Sequence, residues 1–206
     1  MEIKICGITK PREIEILNEL KPRYAGFVFA QSRRKVETAE AAALIAALSP
    51  EILPVGVFVN APPAEALEAA RRCGLYAVQL HGDEDEAYTE KIRAAAPDLK
   101  IIRAARTKDL RALRAAIAAK PDFILFDAYK EGERGGSGQS ADHGLIERIK
   151  SELTVPYFVA GGITPENLAQ TALLHSSAHA LDVSSGAESA EGKDRSKIVR
   201  LISALP

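Results

Sequence analysis

Short apolar runs rich in β-branched residues return along this chain at regular intervals, and this regularity limits the possible folds more than any other feature. Each run has the length and composition of a buried strand. Their starts lie roughly 20 to 35 residues apart, which is the length of one strand-plus-helix unit. The eight predicted strands are Glu2–Cys6, Tyr24–Phe29, Leu53–Val59, Tyr76–Leu80, Leu99–Ala104, Asp122–Asp127, Pro156–Ala160 and Ala178–Val183.

Helix-like stretches separate these strands. The predicted helices are Arg12–Leu20, Glu37–Leu48, Ala64–Cys73, Glu84–Ala95, Lys108–Ala118, His143–Glu152, Pro165–Leu174 and Lys193–Leu205. Regular alternation of strand and helix predicts a parallel sheet. An open doubly wound sheet would show the same alternation. However, eight equal units without a Gly-x-Gly-x-x-Gly after the first strand favour a closed (β/α)8 barrel, the TIM-barrel fold.

The chain length suits a small barrel. Its 206 residues are near the lower limit for this fold, which has about 250 residues on average and about 200 at the minimum. We therefore expect short helices and loops and a single domain over residues 1–206. The polar, Gly-rich segment Gly132–Ser140 is interpreted as an active-site loop rather than a linker, because a complete helix-strand unit follows it.

Composition excludes several classes of function. Apolar residues make up 47% and the net charge is -1, so the chain can bury a core and has no overall attraction to nucleic acid or an anionic membrane. No apolar run approaches the ~18 residues of a membrane span, and we expect no signal peptide. Two cysteines, Cys6 and Cys73, form neither a disulfide framework nor a metal-ligand spacing. These features predict a cytoplasmic protein with no nucleic-acid or membrane partner.

A barrel would carry its function where strands end and the following loops begin. Polar and Gly-rich residues collect at those positions, while the strands themselves are apolar. The positions that follow the strands hold Cys6-Gly7, Ser32-Arg33-Arg34, Asn60, His81-Gly82, Arg103, Asp127, Gly161-Gly162 and Asp182 with Ser184-Ser185-Gly186.

The last two loops predict a phosphate site. Gly161 and Gly162 follow the seventh strand, and Ser184, Ser185 and Gly186 follow the eighth. Glycines let backbone N–H groups converge on phosphate oxygens, and serine hydroxyls add donors. These two loops are also the usual phosphate site of the fold. The alternative interpretation is that the glycines only form tight turns.

Cys6 and Asp127 are candidates for a base and an acid. Lys4 and Cys6 share one face of the first strand, while Ile3 and Ile5 share the other. Asp127 ends the sixth strand, so both polar side chains can point across the mouth of a barrel. A thiolate and a carboxylic acid on opposite sides of a substrate can transfer protons. A strand cysteine can equally be a small buried apolar residue.

Seven sequence blocks, in order and over nearly the whole chain, resemble the phosphoribosylanthranilate isomerase family. The blocks are Lys4–Thr9, Gly26–Phe29 with Ser32–Arg34, Val55–Asn60, Gln79–Gly82, Gly135–Gly138, Ala160–Gly162 and Asp182–Gly186. The resemblance implies an enzyme of tryptophan biosynthesis that uses neither metal nor cofactor. It implies a phosphosugar–anthranilate substrate, N-(5-phosphoribosyl)anthranilate, which undergoes an Amadori rearrangement to the 1-(2-carboxyphenylamino)-1-deoxyribulose 5-phosphate isomer.

The resemblance also implies residue roles. Asp127 would be the general acid that protonates the furanose ring oxygen, and Cys6 the general base that removes the proton from sugar C2. Arg34 would hold the anthranilate carboxylate through its planar guanidinium. Asp182 would lie near the substrate amine, and His81 would contact ribose hydroxyls.

The chain departs from the family pattern at two places. Arg33 stands where proline is common, which leaves Arg34 in place. The segment Gln139–His143 lacks the Phe-Asp-Trp of many members, which affects the anthranilate side of the expected pocket. The remaining cysteine and histidines are interpreted as packing or surface residues: Cys73, His143, His175 and His179.

Other functions on the same fold stay open from the sequence. A metal-dependent phosphosugar epimerase would need several His and Asp residues at strand ends, where His81 is the only histidine. A Schiff-base lyase would need a lysine on a middle or late strand, and Lys4 lies in the first. A non-catalytic phosphate-ligand sensor is a third alternative. The presence of both Cys6 and Asp127 argues against it. The sequence carries no signal for the oligomeric state.

Overall fold

The structure, a computed structural model, describes residues 1–106, 110–127, 146 and 148–206. Eight parallel strands form a sheet that closes on itself, because the eighth strand pairs with the first. The strands are β1 (Glu2–Cys6), β2 (Tyr24–Val28), β3 (Leu53–Phe58), β4 (Ala77–Leu80), β5 (Lys100–Arg106), β6 (Phe123–Asp127), β7 (Tyr157–Ala160) and β8 (Ala180–Val183). The predicted closed barrel is therefore confirmed.

Seven α-helices lie within the described part of the chain. They are α1 (Pro11–Leu20), α2 (Thr38–Ala46), α3 (Pro63–Cys73), α4 (Glu86–Ala95), α5 (Leu110–Ala118), α6 (Leu168–Leu174) and α7 (Arg195–Ser203). Of the predicted helix His143–Glu152, residues 146 and 148–152 are described: 146, 148 and 149 are helical, and the last three residues form a 3-10 turn. The segments Gly132–Ser140 and Gln139–His143, and with them the Gly135–Gly138 block, also lie outside the described residues.

The chain between β8 and the last helix differs from the prediction. A short antiparallel hairpin, β9 (Glu188–Ser189) and β10 (Gly192–Lys193), occupies this segment. Gly192 has a φ of +120°, which an L side chain rarely adopts. The predicted helix start at Lys193 is wrong, because α7 begins at Arg195 with Asp194 as its N-cap, accepting a hydrogen bond from the Lys197 N–H.

Successive side chains on the strands pack alternately into two buried layers, one beneath the helices and one inside the barrel. On β1, Ile3 and Ile5 pack outward in the large cluster beneath the helices, and Lys4 and Cys6 therefore face inward. A separate cluster of apolar side chains fills the barrel interior: Tyr24, Val55, Ala77, Ile102, Ala104, Phe123, Leu125, Phe158, Ala160 and Ala180. The interior is thus a packed core, and the inward-facing polar residues lie at its carboxyl end.

Aromatic rings close the opposite end of the barrel. The ring of His179 lies 5.3 Å from that of Phe123 and 5.5 Å from that of Phe158. The Tyr24 hydroxyl lies 2.8 Å from His179 Nε2. His179 is therefore a packing residue here, and burial lowers its pKa.

Candidate active site

Cys6 lies at the carboxyl end of β1 with its side chain buried. Gly26 on the paired strand β2 leaves the space that the thiol occupies, because a Cβ at that glycine would lie 2.7 Å from the Cys6 sulfur. Burial raises the pKa of Cys6, and the nearby cations Lys4 and Lys193 lower it in part. The thiol is therefore enclosed by charged groups rather than by apolar side chains alone.

Lys4 forms a buried ion pair with Asp182. The two residues are register partners on β1 and β8, and Lys4 Nζ lies 3.0 Å from each carboxylate oxygen. Lys4 is fully buried and Asp182 is 8% exposed. Burial opposes the lysine's charge, but the adjacent carboxylate outweighs it and raises the Lys4 pKa. The predicted site residue Asp182 thus has a protein partner inside the barrel.

Arg34 is held in a fork by Glu188. Arg34 Nε and Nη2 donate to the two Glu188 oxygens at 2.6 and 2.8 Å, and exposed Arg33 donates to the same carboxylate at 2.8 Å. Gly7 lets Arg34 lie close beside Cys6, since a Cβ there would collide with the arginine side chain. Although burial acts to raise it, hydrogen bonds from Arg34 and Lys193 bring the pKa of Glu188 down to about 2.

Lys193 connects the hairpin to the mouth of the barrel. Its Nζ donates to Glu188 at 2.7 Å and to the Ser184 carbonyl at 3.1 Å. Its backbone N–H donates to buried Glu13 of α1 at 2.9 Å. Burial lowers the pKa of Lys193, opposed by its contact with Glu188. Glu188 therefore has three cations around it, two of them inside the site.

His81 and Asp127 meet on the other side of the mouth. His81 follows β4, and its Nε2 lies 3.1 Å from Asp127 Oδ2 at the end of β6. Gln79 Nε2 lies 2.8 Å from His81 Nδ1. An amide NH2 can only donate, so Nδ1 accepts, and in the neutral ring Nε2 carries the proton that faces Asp127. His81, the predicted ribose contact, therefore forms a hydrogen bond with Asp127, the predicted acid.

A buried carboxylate holds the loop that carries His81. Glu84 accepts hydrogen bonds from the backbone N–H groups of Asn60 and Gly82, at 2.7 and 2.8 Å. Arg103 of β5 donates to Glu84 at 3.4 Å and to the Gly82 carbonyl at 3.0 Å. The loops after β3 and β4 are therefore tied together, which fixes the position of His81.

The loops after β7 and β8 pack against each other. Gly161 and Gly162 have φ values of +97° and +65°, in the region that favours glycine. A Cβ at Gly186 would collide with the Ile163 carbonyl, so this glycine permits the close approach of the two loops. The Ser184 hydroxyl donates to the Cys6 carbonyl at 3.1 Å. Ser185 begins a single 3-10 turn.

Sequence reasoning missed three charged residues of this site: Lys4, Glu188 and Lys193. Lys4 shares a strand face with Cys6, and that alternation was a usable signal of an inward-facing charge. Glu188 and Lys193 follow the last barrel strand, where the hydrophobic pattern predicts a loop and a helix start. Gly192 between them is a local sign of a turn rather than a helix.

The described residues contain no group of three or more His, Cys, Asp or Glu side chains arranged to hold a metal ion. None of the described helices is both long and apolar enough to cross a membrane.

A closed barrel with ionisable residues gathered at the carboxyl ends of its strands has the architecture of a (β/α)8 enzyme. The family model of N-(5'-phosphoribosyl)anthranilate (PRA) isomerase matches residues 3–204. The chain belongs to this family, and it is an isomerase of tryptophan biosynthesis.

Known members agree with this assignment along the full chain. N-(5'-phosphoribosyl)anthranilate isomerase of Thermoanaerobacter pseudethanolicus is 38% identical, over 98% of this chain and 96% of its own. The crystal structure of phosphoribosyl anthranilate isomerase from Thermotoga maritima has a TM-score of 0.88 and 33% identity, covering 99% of this chain and 98% of that chain.

Another similar solved structure is a phosphoribosyl anthranilate isomerase in complex with reduced 1-(o-carboxyphenylamino)-1-deoxyribulose 5-phosphate. Its TM-score is 0.84 at 30% identity, covering 99% of this chain and 97% of that chain.

Proposed function

We propose that this enzyme binds N-(5'-phosphoribosyl)anthranilate and isomerises it with Cys6 as general base and Asp127 as general acid. The observation that carries this proposal is where the two residues lie. Cys6 ends β1 and Asp127 ends β6, and the shorter way around the barrel between them passes through β7 and β8. The loops with the predicted phosphate glycines therefore lie between the acid and the base.

The first proton transfer opens the sugar ring. Protonated Asp127 gives its proton to the furanose ring oxygen, the C1–O bond breaks, and the nitrogen lone pair forms a C1=N iminium. His81 Nε2 lies 3.1 Å from Asp127 Oδ2, and its N–H orients the carboxyl group on the side of the site where the ribose hydroxyls lie. Asp127 needs its proton at this step.

The second proton transfer makes the carbon skeleton of the product. The Cys6 thiolate removes the proton from C2, the C–H electrons form the C1=C2 bond, and the iminium electrons return to nitrogen. The enolamine then gains a proton at C1 and loses the hydroxyl proton at O2, which gives the ketone. One proton gained and one lost leave an isomer of the substrate.

The ends of the substrate are held by opposite sides of the site. Arg34 binds the anthranilate carboxylate with the N–H groups that Glu188 leaves free, and Asp182 at the wall of the barrel lies toward the substrate amine. The phosphate lies against the backbone N–H groups of Gly161, Gly162, Ser184 and Gly186 and the Ser185 hydroxyl. The Ser184 hydroxyl already has a partner in the Cys6 carbonyl.

Turnover is tested by mixing purified protein with freshly made phosphoribosylanthranilate and following the loss of anthranilate fluorescence. A positioned acid or base contributes about 10²–10⁴-fold, so Cys6→Ala and Asp127→Asn should each lower kcat by that order with product affinity largely kept. Cys6→Ser should fail nearly as badly, because an alcohol is too weak an acid to supply a base near neutral pH. Near-wild-type turnover by Cys6→Ala contradicts the proposed base. Binding of a product analogue without any turnover in the wild type indicates a sensor instead.

A further inference from the structure

Lys4 is a fully buried cation that takes no part in the proposed proton transfers. It is 0% exposed inside the barrel, with Nζ 3.0 Å from both Asp182 oxygens. Apolar residues of similar volume often replace buried ion pairs without loss of stability, because burial of charges is costly. Lys4 therefore calls for a functional explanation.

The group that shares its strand face is the Cys6 thiol. Lys4 precedes Cys6 by two residues on the inward face of β1, so its buried ammonium and the thiol lie in the same layer, and its positive charge favours the thiolate. The other charged groups near the thiol come from neighbouring elements, namely Asp182 on β8, Lys193 on β10 and Arg34 after β2.

The charges around the thiol do not cancel. Lys4 pairs with Asp182, and Arg34 and Lys193 both pair with Glu188. Arg33 also reaches Glu188 but is exposed, so among these described groups that are buried or partly buried, three cations face two carboxylates. A thiolate at Cys6 would add a third negative charge to this cluster.

We propose that Lys4 is the positioning residue that makes Cys6 usable as a base, by holding a buried positive charge on the same inward face of β1 as the sulfur. When the thiol ionises, its proton leaves to solvent and the sulfur's negative charge faces the Lys4 ammonium. During turnover the thiolate takes the C2 proton and becomes neutral again. Asp182 keeps Lys4 charged while the thiol is neutral. This inference rests on the proposed function, in which Cys6 is the base.

The thiol pKa is the quantity to measure, independently of turnover. The chain has two cysteines, so a Cys73→Ala background leaves Cys6 as the only thiol, and Cys6→Ala in that background is the blank. Thiolate absorbance in the ultraviolet, followed against pH, gives the titration of Cys6 directly.

Two variants break the same ion pair and should move this titration in opposite directions. Lys4→Met removes the cation and should raise the thiol pKa by about one unit or more, whereas Asp182→Asn removes the anion and should lower it. Loss of structure alone would move both the same way, since each leaves a buried partner unpaired. Shifts of the same sign, or no shift in Lys4→Met, would overturn the proposal.

Two further variants separate the effect of the Lys4 charge on the thiol pKa from the effect of misfolding. Lys4→Arg keeps the charge and should keep the thiol pKa within a few tenths of a unit of the parent. The double variant Lys4→Met/Asp182→Leu leaves neither charge unpaired. Its thiol pKa should still rise, because Lys4 lies on the strand face of Cys6 itself, whereas Asp182 lies on the neighbouring strand. A double variant that titrates as the parent does refutes the role of Lys4.

The kinetic consequence separates this inference from the function on which it rests. The basic limb of kcat/KM against pH should follow the thiol pKa in Lys4→Met and Asp182→Asn, each in its own direction. Thiol shifts without matching kinetic shifts would contradict Cys6 as the base and leave the effect of Lys4 on the sulfur established. A Cys6 thiol pKa that is the same in both variants as in the parent contradicts the proposed role of Lys4, but it does not contradict Cys6 as the base.

Discussion

The guanidinium of Arg34 and the carboxylate of Glu188 meet fork to fork, with Nε–Oε1 and Nη2–Oε2 distances of 2.6 and 2.8 Å. Two parallel charge-assisted hydrogen bonds fix the plane of the guanidinium as well as its position. We therefore expect a ligand carboxylate to meet an arginine that is already oriented, with little side-chain entropy left to lose on binding.

Arg34→Lys should weaken binding of carboxylated ligands more than it slows chemistry. Lysine keeps the charge but loses the planar fork, and one lost charge-assisted hydrogen bond corresponds to about tenfold to a hundredfold in affinity. Calorimetry with the reduced product and with its analogue lacking the carboxylate measures the difference. Arg33→Lys is the matched control and should have a smaller effect, because Arg33 is exposed. Equal binding of the two ligands by the wild type contradicts this role for Arg34.

Gly162→Asp should raise KM and weaken competition by inorganic phosphate. The new side chain adds bulk and negative charge where we propose that the backbone approaches a phosphate. Gly74→Asp is the matched control, since Gly74 has nearly the same φ, +63° against +65°, and open space around it in the C-cap of α3. In both variants an aspartate replaces a glycine with a left-handed backbone conformation, which costs about 1 kcal/mol of stability. If the two variants have the same KM, the phosphate does not lie at Gly162.

Gly26→Ala should lower kcat by displacing the Cys6 thiol. The added Cβ would lie 2.7 Å from the sulfur, so the sulfur must move, and small misplacements of a reacting group cost about 10²-fold in rate. Gly56→Ala is an equally tight strand substitution, with its Cβ 2.5 Å from Leu75 Cδ1 in the outer layer. It should reduce stability and leave kcat within a few-fold of the parent. Unchanged kcat in Gly26→Ala would mean that the position of the thiol does not matter.

His179 should make stability fall as the pH falls below about 6.5, the ordinary pKa of histidine. Burial lowers its pKa in the folded protein, so below that pH the unfolded chain binds more protons than the folded chain. Urea unfolding above and below this pH measures the slope. In His179→Gln, which can still hydrogen-bond to Tyr24, the slope should be smaller. An unchanged slope assigns the pH dependence to other groups.

Local patterns predict much of this fold. The apolar alternation predicts β1 with its observed bounds, and β6 is predicted one residue too long at its start. Helix α6 begins at Leu168 rather than Pro165, because residues 165–167 form a turn in which Asn167 bonds the Thr164 N–H and the Gly162 carbonyl. Side-chain hydrogen bonds of this kind compete with helix formation, and hydrophobic periodicity does not register them.

The sequence by itself determined the barrel, and it put Cys6 and Asp127 at strand ends, because period-two and helical patterns are properties of short segments. Only the tertiary structure decided which charges face each other. Lys4 and Asp182 are 178 residues apart, and Glu13 and Lys193 are 180 apart. Closure of the sheet between β1 and β8 and the docking of the hairpin on α1 bring these pairs together. Ion pairing inside a barrel depends on strand register and closure, which no local pattern encodes.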